Sequence, residues 1–363
     1  MIRYVDEFRD PELVRRLLDW IQERADRQMR FMEFCGGHTH AILKFGIRSL
    51  LPPQVKMLSG PGCPVCVTSA RDMDRALALT SVKGLILATF GDMMRVPGSR
   101  GSLQDAKAQG ADVRIVYGCL DALALARAHP GREVVFLAVG FETTAPTVAA
   151  SVLEARAQGV GNFSVLSLHK LTPPAMEAIL QAGEVELDGI LGPGHVTTII
   201  GARAWEFLPG RHRIPCAVAG FEPTDILWGI LALVEMAASG RPAVCNAYTR
   251  SVRADGNPEA RRRMEEVFEV VDADWRGLGR LPASGLSLRE EFSSFDAARR
   301  HPAEAPLDGV DPPGCRCGDV LRGVLEPPQC PLFGKRCSPE APVGPCMVSG
   351  EGICAAYLRY AAC

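Results

Sequence analysis

The chain opens with a helical pattern of apolar positions. Leu13, Val14, Leu17, Leu18 and Ile21 recur at helical spacing, Asp10 suits the N-cap and Pro11 the first helical position. The pattern then changes to short apolar runs that each end in glycine, at residues 30–35, 55–59, 84–90 and 113–117. Helical stretches at 69–79 and 121–129 lie between them. This alternation predicts βα units and a parallel sheet. The same beat returns at 134–139, 163–168, 189–191 and 216–219, with the intervening helices expected to stop at Gly159, Gly183 and Gly240.

The loops echo one another as well. G-P-G-C at Gly60 matches G-P-G-H at Gly192, and G-F-E-T-T at Gly140 matches G-F-E-P-T at Gly220. The expected fold class is α/β, with two similar Rossmann-like parallel-sheet domains, 30–129 and 130–245, facing a cleft. Residues 1–29 are expected to form a helix packing with the C-terminal domain. Beyond about residue 250 the pattern fails. A charged helix at 259–270 gives way to a Pro- and Gly-rich tail, so 246–363 is expected to be a smaller, mainly helical or irregular, cysteine-rich domain. Such a tail buries little apolar surface and calls for a bound metal or cluster to organise it.

Composition narrows the function classes. Forty basic and forty-two acidic residues give a net charge of −2, which points away from nucleic acid and from anionic membranes. The longest apolar stretch, 226–238, contains Gly229 and Glu235 and is too short to cross a bilayer. No apolar secretion segment follows Met1, so a cytoplasmic location is expected, where cysteines serve metal or redox chemistry and not as staples. There are thirteen cysteines, and their placement is uneven. No P-loop motif is present, which argues against that kind of NTPase.

Ligands of open α/β sheets bind beyond the carboxyl ends of the strands, and the unusual motifs fall there. Cys35 ends a strand and opens a helix in C-G-G-H-T-H, a position expected to lower a thiol pKa. Gly36 and Gly37 allow close backbone approach, and His38, Thr39 and His40 are candidate donors or ligands. Cys63 and Cys66 form a C-P-V-C pair after Gly62, with thioredoxin-like spacing. A redox pair and one half of a zinc site are both compatible with it. Six cysteines, Cys315, Cys317, Cys330, Cys337, Cys346 and Cys354, crowd the tail. Four thiolates there suit a [4Fe–4S] cluster or structural zinc, and spacing alone does not choose which four. Asp92, Glu142, Thr143, Thr144 and His195 also lie at strand ends and are candidate cleft-lining residues. Cys119, Cys216, Cys245 and Cys363 read as ordinary thiols.

The motifs together resemble the HypD family of [NiFe]-hydrogenase maturation factors. Besides those above, the matching strings are F-G-D-M-M-R-V-P-G-S at Phe90, G-P-G-H-V at Gly192 and A-G-F-E-P at Ala219. They continue with W-R-G-L-G at Trp275, R-C-G-D-V-L at Arg316 and C-M-V-S-G-E-G-I-C at Cys346. The resemblance implies a metallocentre-assembly scaffold for the Fe(CN)2CO group, working with a HypC-type chaperone and with HypE as cyanide donor. Carried over, Cys35 would ligate the iron and Cys63 and Cys66 would be the redox pair, with His38 beside them. Cys317, Cys330, Cys337 and Cys354 would hold a [4Fe–4S] cluster, in an arrangement similar to ferredoxin–thioredoxin reductase. The alternative is a stand-alone iron–sulfur thiol-disulfide reductase.

Overall fold

The computed structural model describes residues 6–302 and 308–360. The first helix, Pro11–Arg24, begins as its sequence dictates: the Asp10 side chain accepts from the backbone N–H groups of Glu12 and Leu13. Among the described residues eleven strands follow: β1 (Met29–Glu33), β2 (Val55–Ser59), β3 (Ile86–Thr89), β4 (Val113–Ile115), β5 (Val134–Ala138), β6 (Phe163–Ser167), β7 (Gly189–Pro193), β8 (Cys216–Ala219), β9 (Val244–Asn246), β10 (Phe268–Trp275) and β11 (Gly279–Leu288). β3, β5, β7 and β8 are buried along their whole length, as continuous apolar runs in a covered parallel sheet should be.

The strands form two parallel sheets, ordered β2-β1-β7-β8-β9 and β4-β3-β5-β6. They do not sort into the expected segments 30–129 and 130–245. β3 and β4 leave the first segment to pair with β5 and β6, while β1 pairs with β7 through Phe31 opposite Gly189. The physical reason is local packing: a Cβ on Gly189 would lie 3.0 Å from the Phe31 ring and from Leu233, so glycine there favours the close approach of β7 to β1. The two G-P-G loops therefore belong to one sheet, at the ends of β2 and β7.

The first helix also departs from expectation. Leu17 and Ile21 join Ile226, Leu227 and Ile230 of helix Pro223–Ser239 in the core beneath the first sheet, while of the segment 246–363 Arg250 lies over the Phe8 ring. Its apolar stripe meets the longest apolar helix available. A second difference lies after Val267, where the charged helix stops and β10 and β11 form an antiparallel hairpin. Pro282 and Gly285 within β11 punctuate the sequence and disguise that strand. Residues 308–360 are short turns and two small helices, Cys317–Leu321 and Ile353–Tyr360. Among the described residues no helix is long and apolar enough to cross a membrane.

Candidate functional site

Four motif-bearing loops stand side by side at the carboxyl ends of β2, β1, β7 and β8. Their contact requires glycine: a Cβ on Gly62 would sit 2.0 Å from the Cys35 nitrogen, and one on Gly36 would sit 3.3 Å from the Cys63 Cβ. The Gly36 N–H closes the junction by donating to the Gly62 carbonyl at 2.9 Å. Cys35 and Cys63 are thereby fixed on touching loops, each at the N-cap of its helix.

The Cys35 side chain is only 2% exposed. Its Sγ lies 3.5 Å from His195 Nδ1 and near the backbone N–H groups of His38 and Gly37, without a capping hydrogen bond to the helix. The expected lowering of its pKa is overturned. Burial pushes the thiol well up, Glu33 and Glu351 push the same way, and the two N–H groups only partly offset this. Burial likewise drives Cys66 up, so neither thiol is a free thiolate. Burial lowers His195 to about 4 and His38 to about 4, leaving both imidazoles neutral. His38 Nε2 bonds the Gly220 carbonyl at 2.9 Å, and Phe221 packs against both His38 and His195 at 4.8 and 5.4 Å between ring centres. A buried protonated thiol beside a neutral imidazole surrenders its proton when a cation binds the sulfur.

An open cleft runs outward from this point. Gly37, His40 and Cys63 line one side, Phe90, Asp92, Val139 and Thr144 the other, and Ser349, Gly350 and Glu351 close the end. His40 Nδ1 is 3.3 Å from the Gly350 carbonyl, and its Nε2 is 3.4 Å from the Tyr360 hydroxyl. Thr39 is buried, and its hydroxyl donates to Glu33. Arg95 donates to the carbonyls of Pro339 and Val348, stapling this wall to the C-terminal segment.

Glu142 lies apart from this site. Its carboxylate accepts from the Thr172 N–H and hydroxyl, both at 2.8 Å, which caps helix Thr172–Ala182. Thr143 is half-buried and does not line the cleft, whereas Thr144 does, with its hydroxyl donating to the Phe141 carbonyl. Glu33 and Glu351 were missed by sequence reasoning. The available signal for Glu33 was an acidic residue closing an otherwise apolar strand.

All six tail cysteines line one small cavity, of about 20 Å³, with Val320, Leu332, Phe333 and Met347. Cys317 Sγ and Cys346 Sγ are 2.7 Å apart. The Cys346 thiol also meets those of Cys66 and Cys354, and Cys66 meets Cys63. Among the described residues no three His, Cys, Asp or Glu side chains converge as ligands of one metal ion. Cys119 and Cys216 are buried core thiols and Cys245 is half-buried, while Cys363 lies outside the described residues.

A family model described as "HypD: Hydrogenase formation hypA family" matches residues 12–361. The chain belongs to the HypD family. Among similar proteins are hydrogenase maturation factor HypD2 of Bradyrhizobium diazoefficiens, 48% identical over 99% of this chain and 97% of that protein. HypD of Azotobacter vinelandii is 49% identical over 99% and 97% of the two chains, and HypD of Escherichia coli K12 45% identical over 99% and 98%. Membership in the HypD family makes this chain a hydrogenase maturation factor by kinship along nearly its whole length.

Proposed function

We propose that this HypD-family chain is the scaffold on which the Fe(CN)2CO group of a [NiFe]-hydrogenase is assembled, with a HypC-type chaperone and HypE as protein partners. The observation that carries this reading is the junction of Cys35, His195 and Cys63, with Cys35 buried and His195 half-buried behind a cleft that Gly37, His40 and Cys63 line. Cys35 is the iron ligand: a soft thiolate suits low-spin iron carrying strong-field diatomics. The substrate iron displaces the thiol proton, and His195 Nδ1 is the nearest side-chain acceptor. Backbone N–H groups of Gly37 and His38 lie near Sγ and stabilise the thiolate once formed.

The tail cavity fits an iron–sulfur cluster by its donor set, six cysteines around one mainly apolar space. Such a [4Fe–4S] cluster supplies single electrons when bound. The contact of Cys317 with Cys346 favours a dithiol pair, so Cys315, Cys330, Cys337 and Cys354 are the four we assign to the cluster, with Cys315 replacing Cys317. Cys346 then adjoins Cys66. A Cys63–Cys66 disulfide can be reduced by exchange through a Cys66–Cys346 mixed disulfide, leaving the Cys63 and Cys66 thiols and a Cys317–Cys346 disulfide. The two electrons and two protons come from the second pair. The same contacts favour, as a second reading, a thiol-disulfide reductase acting without iron assembly.

Infrared spectroscopy of the anaerobically purified partner complex decides between the two. Metal-bound CN and CO bands that vanish in Cys35→Ala are the expected result; their absence in wild type leaves the reductase reading. Cluster absorption should be lost in Cys315→Ala and kept in Cys317→Ala, and the reverse result restores Cys317 to the ligand set.

A further inference from the structure

We propose that Glu33 is a positioning residue for the iron-binding thiol, its carboxylate holding the Cys35 backbone so that Sγ faces Gly37, His38 and His195. The carboxylate closes β1 and is 1% exposed. One oxygen accepts from the Cys35 N–H at 2.8 Å and the other accepts from the Thr39 hydroxyl. The carbonyl of the same residue accepts from the Gly60 N–H at 2.8 Å. Glu33 alone thus ties the end of β1, the first turn of helix Gly36–Lys44 and the end of β2.

The consequence for the thiol is directional. With the Cys35 N–H held by Glu33 and the Gly36 N–H by the Gly62 carbonyl, Sγ is turned toward Gly37 and lies 3.5 Å from His195 Nδ1. Burying a carboxylate at this depth is unfavourable. An apolar residue would fill the strand end at lower cost, so a role in stability does not account for the acid. Its hydrogen-bonding geometry does.

The inference rests on the proposed role of Cys35, and the test separates the two. Glu33→Gln keeps an oxygen for the Cys35 N–H, Glu33→Asp withdraws the acceptor by one methylene, and Glu33→Ala removes it. In the partner complex, Glu33→Gln should retain the CN and CO bands, Glu33→Asp should shift and broaden them, and Glu33→Ala should lose them. Cys35 alkylation in the full-length protein, followed residue by residue by mass spectrometry, should rise roughly tenfold in Glu33→Ala, the factor expected from losing one charge-assisted hydrogen bond. In Glu33→Gln, which keeps the acceptor but loses the charge that raises the thiol pKa, it should rise less than in Glu33→Ala. Wild-type bands and alkylation in both Glu33→Ala and Glu33→Asp would overturn the proposal. Where Glu33→Ala does not fold, Glu33→Asp decides by the same readouts. Absence of bands in wild type counts against the iron reading only, and alkylation still decides for Glu33.

Discussion

The two parallel sheets share an architecture and use their carboxyl ends in opposite ways. At the ends of β1, β2, β7 and β8, glycines bring the loops into contact and leave sulfur and imidazole facing one another. At the ends of β5 and β6 the polar side chains are spent inside the protein. Glu142 caps a helix, Lys170 pairs with Asp72 at 2.8 Å with both side chains buried, and His169 bonds Ser167, which in turn bonds the Leu286 carbonyl of the hairpin. Placement at a strand end is thus permissive. A group becomes available for chemistry only when its hydrogen-bonding capacity is not already consumed by structure.

This contrast can be broken by substitution, and the largest effect should come from Gly62→Ala. The new methyl would meet Cys35 backbone atoms at 2.0 and 2.3 Å, a clash no side-chain rotation relieves. A loss of more than about 4 kcal/mol, or no folded protein, is expected from urea titration. Next is Lys170→Met, which leaves the buried Asp72 carboxylate with the longer Arg75 contact at 3.7 Å. Urea titration should show a loss of about 3–5 kcal/mol, with much of it recovered in Lys170→Met/Asp72→Leu. The folded fraction of either variant should still support CN and CO bands in the partner complex, and their disappearance would merge the two regions that the comparison separates.

Smaller is a pH effect at Glu142. Burial lifts its carboxyl from 4.5 to about 7 in the folded protein. The unfolded chain therefore gives up this proton first, and stability falls as pH rises through that window. Glu142→Gln should flatten the fall by roughly 3 kcal/mol, since one pKa unit corresponds to about 1.36 kcal/mol. Denaturant titrations at a series of pH values check this, and an unchanged slope would place the titrating group elsewhere. The smallest effect on stability should be that of His195→Gln, within about 1 kcal/mol because the fold places little weight on its contact with Cys35. Its CN and CO bands should nevertheless weaken, and intact bands would remove His195 from the site.

Much of this architecture is legible in the amino-acid sequence. The Asp10 cap, the parallel strands ending in glycine and the left-handed caps at Gly159, Gly183 and Gly240 all lie where short-range patterns put them. They depend on neighbours a few residues away. Cys35, Cys63 and His195 are legible as candidates too, because sulfur and imidazole beside glycine at a strand end are uncommon. The depth of the site is not. A helix N-terminus suggests a lowered thiol pKa, and only burial by distant loops reverses the sign. Glu142 misleads for the same reason: the residue that consumes it, Thr172, is thirty positions away.

Element types up to Val267, the chemistry-bearing motifs and membership in the HypD family follow from the chain alone, since each is written in short strings or in their order. Which strands share a sheet is settled only in three dimensions, because Gly189 and Phe31 meet across more than 150 residues of chain. So is the choice of thiol partners. Cys317 lies twenty-nine residues from Cys346 and Cys66 lies still farther away, yet packing brings the three together in one line of contacts. Proximity of this kind follows from how whole layers pack, and no local spacing encodes it.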